Sequence, residues 1–122
     1  MLSNPSTITS TDFINGSAIA TGTVVTLPAN RYFSMDIQLS STHQGATTAT
    51  PKVTYNTSGG VLFSPTTGSI VCQQKIAGLL AVAVQSDARI EFSGYTGSGG
   101  ATLDFNTGGA TVSSCVINGF LL

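Results

Sequence analysis

The chain is 122 residues long, the size of one ordinary domain. Only 7% of it is charged, four Lys or Arg against five Asp or Glu, where a soluble domain averages about 25%; the polar surface falls instead to 18 Thr and 15 Ser, with 14 Gly among them. An apolar share of 41% excludes a disordered chain, and four scattered basic residues (Arg31, Lys52, Lys75, Arg89) give no phosphate-binding patch for nucleic acid.

Residues 1–16 form a Ser/Thr-rich lead with Pro5 and few core-sized side chains. They read as an extended arm ending at the Asn15-Gly16 turn signal, with residues 17–122 as a single β domain. The lead lacks the basic start and apolar stretch of a secretory signal, so the expectation is synthesis in a reducing cytosol, where disulfides are rare. Thr23–Leu27 is the first predicted strand. After the Pro28-Ala29-Asn30 break comes the clearest one, Tyr32–Leu39, in which Phe33, Met35, Ile37 and Leu39 point one way and Tyr32, Ser34, Asp36 and Gln38 the other.

Further strands are expected at Lys52–Asn56, Val61–Phe63 and Ser69–Gln73, then at Leu79–Gln85, Arg89–Ser93, Ala101–Phe105 and Thr111–Ile117. Alternation assigns Phe33, Phe63, Ile90, Phe92, Leu103 and Phe105 to the core. Gly59-Gly60, Ser64-Pro65, Gly97-Ser98-Gly99-Gly100 and Gly108-Gly109 supply the turns. The run Ile76–Val84 is apolar on both faces and fits a central strand or a short buried helix, with its Gly and Val favouring the strand. At nine residues it is far short of the roughly 20 that a membrane helix needs, so no membrane partner is expected. The fold class predicted is all-β: a small antiparallel β-sandwich or barrel, jelly-roll-like, of about eight or nine strands with an extended N-terminal arm.

No catalytic residue is expected. The single histidine, His43, lies in a Ser-Thr-His-Gln-Gly stretch that reads as a solvated loop, and no serine sits in a nucleophile-elbow context. One His and two distant Cys make no zinc pattern, and five isolated acids make no calcium loop, so neither metal nor cofactor is expected. The glycines after Tyr95 lack the Lys-Ser/Thr end of a phosphate loop. Cys72 and Cys115 sit in apolar segments and read as buried thiols, with a disulfide formed outside the cell as the alternative. For a sugar, only Tyr32, Tyr55 and Tyr95 remain as stacking platforms.

Sheet proteins guard their edges with Lys, Pro or inward charges, and four basic residues are few for eight or more strands. The hydrocarbon end Phe120-Leu121-Leu122 adds to the exposed apolar surface. A closed homo-oligomer, a trimer, is expected, with Phe120, Leu121 and Leu122 at its seam. In its composition, its arm and the stretches Pro51–Gly60 (PKVTYNTSGG) and Ala88–Gly99 (ARIEFSGYTGSG), the chain resembles the capsid decoration (cement) proteins of tailed bacteriophages. That resemblance implies a trimer on the outer face of a phage head, made in the host cytoplasm, with the major capsid protein as partner. Leu2, Pro5, Ile8, Phe13 and Ile14 are the arm's hydrophobic anchors for that partner. The other placement is a tail, fibre or head-spike module that binds host-surface glycans through the loop around Tyr95.

Overall fold

The structure, a computed structural model, describes residues 12–64 and 68–122. In chain order the strands are β1 (Phe13–Ala18), β2 (Gly22–Leu27), β3 (Tyr32–His43), β4 (Thr48–Ala49), β5 (Lys52–Thr57) and β6 (Val61–Ser64). They continue with β7 (Ile70–Gln73), β8 (Ile76–Ala77), β9 (Val84–Tyr95), β10 (Ala101–Asn106) and β11 (Val112–Leu121). One sheet has the order β1-β11-β3-β9-β6 and a second β2-β10-β5-β7, with β4 and β8 as a small separate ribbon. All pairings are antiparallel.

Two open sheets packed face to face make a sandwich and not a closed barrel. Without the edge strand β6 and the ribbon, the order is 1-11-3-9 against 2-10-5-7. This is the double Greek key of a jelly roll. The alternation dictates the packing. Phe33, Met35, Ile37 and Leu39 of β3 are buried, as are Cys115 and Ile117 of β11 and Phe92 of β9. Opposite them lie Leu27, Val53, Tyr55, Leu103 and Phe105 of the four-stranded sheet. Phe33 ties the layers together, with its ring 5.3 Å from that of Tyr55 and 5.6 Å, edge-on, from that of Phe92.

Of the arm expected over residues 1–16, residues 1–11 lie outside the described residues and the end is strand. Residues 13–16 belong to β1, which pairs with β11 from Phe13↔Phe120 to Ala18↔Cys115. Asn15-Gly16 is therefore mid-strand and not a turn. Its glycine serves a close approach: a Cβ on Gly16 would stand 2.4 Å from Val25 Cγ1 and 2.9 Å from Val24 Cγ1, where β1 crosses over β2.

The run Ile76–Val84 is neither a central strand nor a helix. Ile76 is buried in β8, but Leu79, Leu80 and Val82 lie exposed in the loop that follows. That loop is held by the 44–47 segment: Gly45 N donates to Leu79 O at 3.0 Å and Gly78 N to Thr47 O at 3.2 Å. A Cβ on Gly78 would sit 2.2 Å from Gly45 O, so the two loops meet only at a glycine. Strand β9 starts at Val84 because its partner β3 ends at His43, directly opposite. Phe63, assigned to the core, is instead exposed on β6, where a register irregularity between Leu62 and Ser64 turns it outward.

Gly16→Ala tests the crossing of β1 over β2. Two stiff valines must give way, and overpacking of this kind destabilises by about 1–3 kcal/mol. A lower urea midpoint with unchanged slope is expected; an unchanged midpoint would show that the valines relax freely.

Candidate functional site

The chemistry-bearing side chains are spread over the fold, and most of them are held in structural contacts. His43 is not a solvated loop residue. It is the last residue of β3, on the inward parity of Phe33 to Ser41, and is 4% exposed. Its Nε2 lies 2.8 Å from Thr47 O and takes the donor role there, while its buried Nδ1 has no partner. Ser41 beside it donates to Gln74 Oε1 at 2.7 Å and meets Ser113 Oγ at 2.7 Å. Gln74 Nε2 in turn donates to Leu39 O at 3.1 Å. Ser41, Ser113 and Gln74 thus form a hydrogen-bonded buried network, while the imidazole beside it keeps an unpartnered buried Nδ1 and has no carboxylate to orient it, so no triad is assembled.

The acids are equally separate. Asp12 pairs with Arg31 at 3.2 Å, and the same guanidinium donates to Leu122 O at 3.1 Å, so one arginine fastens both ends of the described fold. Asp36 and Glu91 stand directly opposite one another on β3 and β9, and Arg89 bridges to Asp36 at 2.7 Å. The Asp36 carboxylate raises the Arg89 guanidinium pKa, first by hydrogen bond and then by charge. Asp104 accepts from Thr23 at 2.7 Å and from Asn56. No group of three or more His, Cys, Asp or Glu among the described residues could hold a metal ion.

Cys72 and Cys115 are buried free thiols. Burial, and then the neighbouring Cys72, pushes the Cys115 thiol up to about 12, and burial also raises Cys72. A thiol held so far from thiolate is a poor nucleophile and a poor metal ligand. Both act as small core side chains.

Apolar surface is distributed unevenly. Phe13, Tyr32, Val61, Phe63, Val112 and Val116 are all exposed on the outer face of the five-stranded sheet, and Leu122 extends beyond its upper rim. Leu79, Leu80, Val82 and Ile19 are exposed in loops. The outer face of the four-stranded sheet, built from Thr26, Thr102, Asn56, Thr54, Asp104, Lys52 and Asn106, carries none of the exposed large hydrophobics. At the upper end of the apolar face Tyr32 is the centre of a cluster. Its ring lies 4.8 Å from that of Tyr95 and 6.2 Å from that of Phe63, near parallel to the latter. Tyr95 is fixed by its hydroxyl, which donates to Asn30 Oδ1 at 3.1 Å.

Against this surface the sequence-predicted site residues fall into three groups. Leu2, Pro5 and Ile8 lie outside the described residues. Phe13 (54% exposed) and Leu122 (67%) are free to meet a partner, and Phe120, half-buried, pairs with Phe13 across β1 and β11. Ile14 packs inward on the core and Leu121 is 5% exposed within it, so neither can serve an outer seam. Tyr55 is likewise a core residue, its hydroxyl donating to Tyr95 O at 2.8 Å, and no platform. Tyr32 and Phe63 come together as neighbours only through the β3–β9–β6 pairing, which no local pattern announces.

Because folding raises both thiols and the Tyr55 phenol, it favours their neutral forms. Their contribution to stability is complete below the ordinary thiol value of 9.0 and is lost as pH rises toward about 12. The urea midpoint should therefore fall over that window, and Cys115→Ala should flatten the decline; a flat profile in the parent protein would contradict the assignment. No protein-family model matches the chain, and none of the curated proteins matches it in sequence.

Proposed function

We propose that the chain is a structural virion component, a capsid decoration (cement) protein that seats on the outer surface of a phage head as a homotrimer and stabilises it through contact with the major capsid protein. The observation that carries this reading is the partition of the surface: exposed large hydrophobics on one sheet face and at the ends, none of them on the opposite face, and no assembled chemical centre among the described residues. A two-faced sandwich of this kind suits a part that presses one side against protein and turns the other to water.

The areas are adequate. A specific contact needs about 800 Å2 from each partner, roughly a ninth of the 6872 Å2 that the chain exposes. One sheet face can supply it. Attachment then biases a shell toward its assembled state by mass action, since bound copies favour the assembled over the dissociated form.

The second reading, a tail, fibre or head-spike module for host glycans, is favoured by one observation, the exposed ring cluster of Tyr32, Phe63 and Tyr95. A sugar ring would stack on Tyr32.

Tyr32→Lys combined with Phe63→Lys places two cations on the apolar face, and Thr54→Lys places one on the polar face. The double variant should lose at least tenfold in particle attachment, measured by co-sedimentation with phage heads, while Thr54→Lys attaches like the parent. Equal attachment by all three would remove this face from the mechanism, and retention on a glycan array in place of heads would favour the tail reading.

A further inference from the structure

The nine charged side chains are divided unevenly over the sandwich, and all nine belong to the described residues. On the outer face of the five-stranded sheet stand Asp36 of β3 and Asp87, Arg89 and Glu91 of β9. These are three of the five acids with one of the four bases. Three negative charges and one positive give this face −2 in a chain whose net charge is −1, so the remainder carries +1. The same face holds the exposed aromatics Tyr32, Phe63 and Phe13.

Two of these acids have partners within the chain and the third has none. Asp36 is held by Arg89 at 2.7 Å. Asp87 accepts from the Ser40 hydroxyl and, at 3.4 Å, from Gln85 Nε2. Glu91 is exposed, stands directly opposite Asp36 in the β3–β9 ladder, and makes no hydrogen bond or ion pair among the described residues. Arg89 reaches it by charge alone. Like charges directly opposite one another across an antiparallel pair are destabilising, so the isolated fold gains nothing from Glu91 at this place. Residues 1–11 and 65–67 contain no Lys or Arg, and no side chain from them supplies the missing cation.

Glu91 lies four residues below Tyr95 on the same face, about 13 Å along the strand. A specific contact covers about 800 Å2 of each partner, a disc of roughly 16 Å radius. A contact centred on the Tyr32–Tyr95 pair therefore takes Glu91 out of water, and a carboxylate covered without a cation is strongly unfavourable. We propose that the protein surface covering this face is basic, with a Lys or Arg of that partner held at Glu91 and apolar neighbours over the aromatic end. The inference rests on the docking face in the proposed function and names what the partner must present there. Two copies meeting through this face would set −2 against −2, and nucleic acid or an anionic bilayer would bring the same sign. A second copy has little to offer from elsewhere, since Arg31 and Arg89 are paired and Lys52 lies on the opposite sheet, leaving Lys75.

Glu91→Gln and Thr54→Lys each raise the net charge by one, the first on this face and the second on the opposite sheet. Co-sedimentation with phage heads should fall at least tenfold for Glu91→Gln and further for Glu91→Lys, while Thr54→Lys attaches like the parent. Raising salt from about 0.1 to about 1 M shortens the Debye length from about 10 to about 3 Å. It should weaken attachment of the parent and leave that of Glu91→Gln nearly unchanged. The urea midpoint of Glu91→Gln should equal or exceed the parent's, because a like-charge pair is removed. A lower midpoint would make Glu91 a structural residue and overturn the proposal, as would equal attachment by Glu91→Gln and the parent. Loss of the parent oligomer in Glu91→Lys that Lys75→Glu restores would make the occupant a second copy, and would also overturn it. A titration with octalysine followed by amide chemical shifts needs no heads. Shifts centred on Glu91 and Asp36 and lost in Glu91→Gln are expected; shifts centred elsewhere would contradict the assignment. A parent that binds octalysine at Glu91 but fails to attach to heads would sink the decoration reading and leave the inference standing.

Discussion

The molecule depends on the double pairing of β3. Twelve consecutive residues, Tyr32 to His43, each face a partner on β9, and ten of them, Phe33 to Thr42, also face a partner on β11. A strand laddered on both sides has no freedom of register, and a slip of one residue would turn Phe33, Met35, Ile37 and Leu39 out of the core together. The positions of β9 and β11 are thereby set, and with them the positions of Tyr95, Phe120 and the chain's C-terminal end. The four-stranded sheet is then placed by what β3 offers it, chiefly the Phe33 ring against Tyr55.

From that spine the surface follows. The inward half of each strand is spent on the core, so the character of the protein toward its surroundings lies in the outward half. On the four-stranded sheet that half is hydroxyls and amides gathered around Asp104. On the five-stranded sheet it passes from an ion-paired middle, Asp36 with Arg89, to an aromatic upper end at Tyr32, Phe63 and Phe13. The two faces differ in that the exposed large hydrophobics lie on one of them and not on the other.

The sandwich was legible wherever one face of a strand is buried and the other wet. Tyr32–Leu39, Lys52–Asn56 and Ala101–Phe105 show that alternation in sequence, and the structure has strands there. His43 carries the same signal, since it continues the odd-numbered inward series of β3, but its polar neighbours hid it. Ile76–Val84 was illegible for a physical reason: exposed loop residues such as Leu80 (75% exposed) have the same composition as a buried strand, and only a partner strand could tell them apart. Gly16 misled because glycine serves both tight turns and close crossings, and its backbone is not in the left-handed region that marks the turn glycines Gly59, Gly97 and Gly108. The aromatic end of the surface was out of reach because Tyr32 and Phe63 are 31 positions apart and meet only through a third strand.

The two cysteines sit deep in a core that is complete without joining them. Each fills its place as a small apolar side chain, and burial holds both in the neutral thiol form, so what they contribute to the fold is volume and not a covalent link.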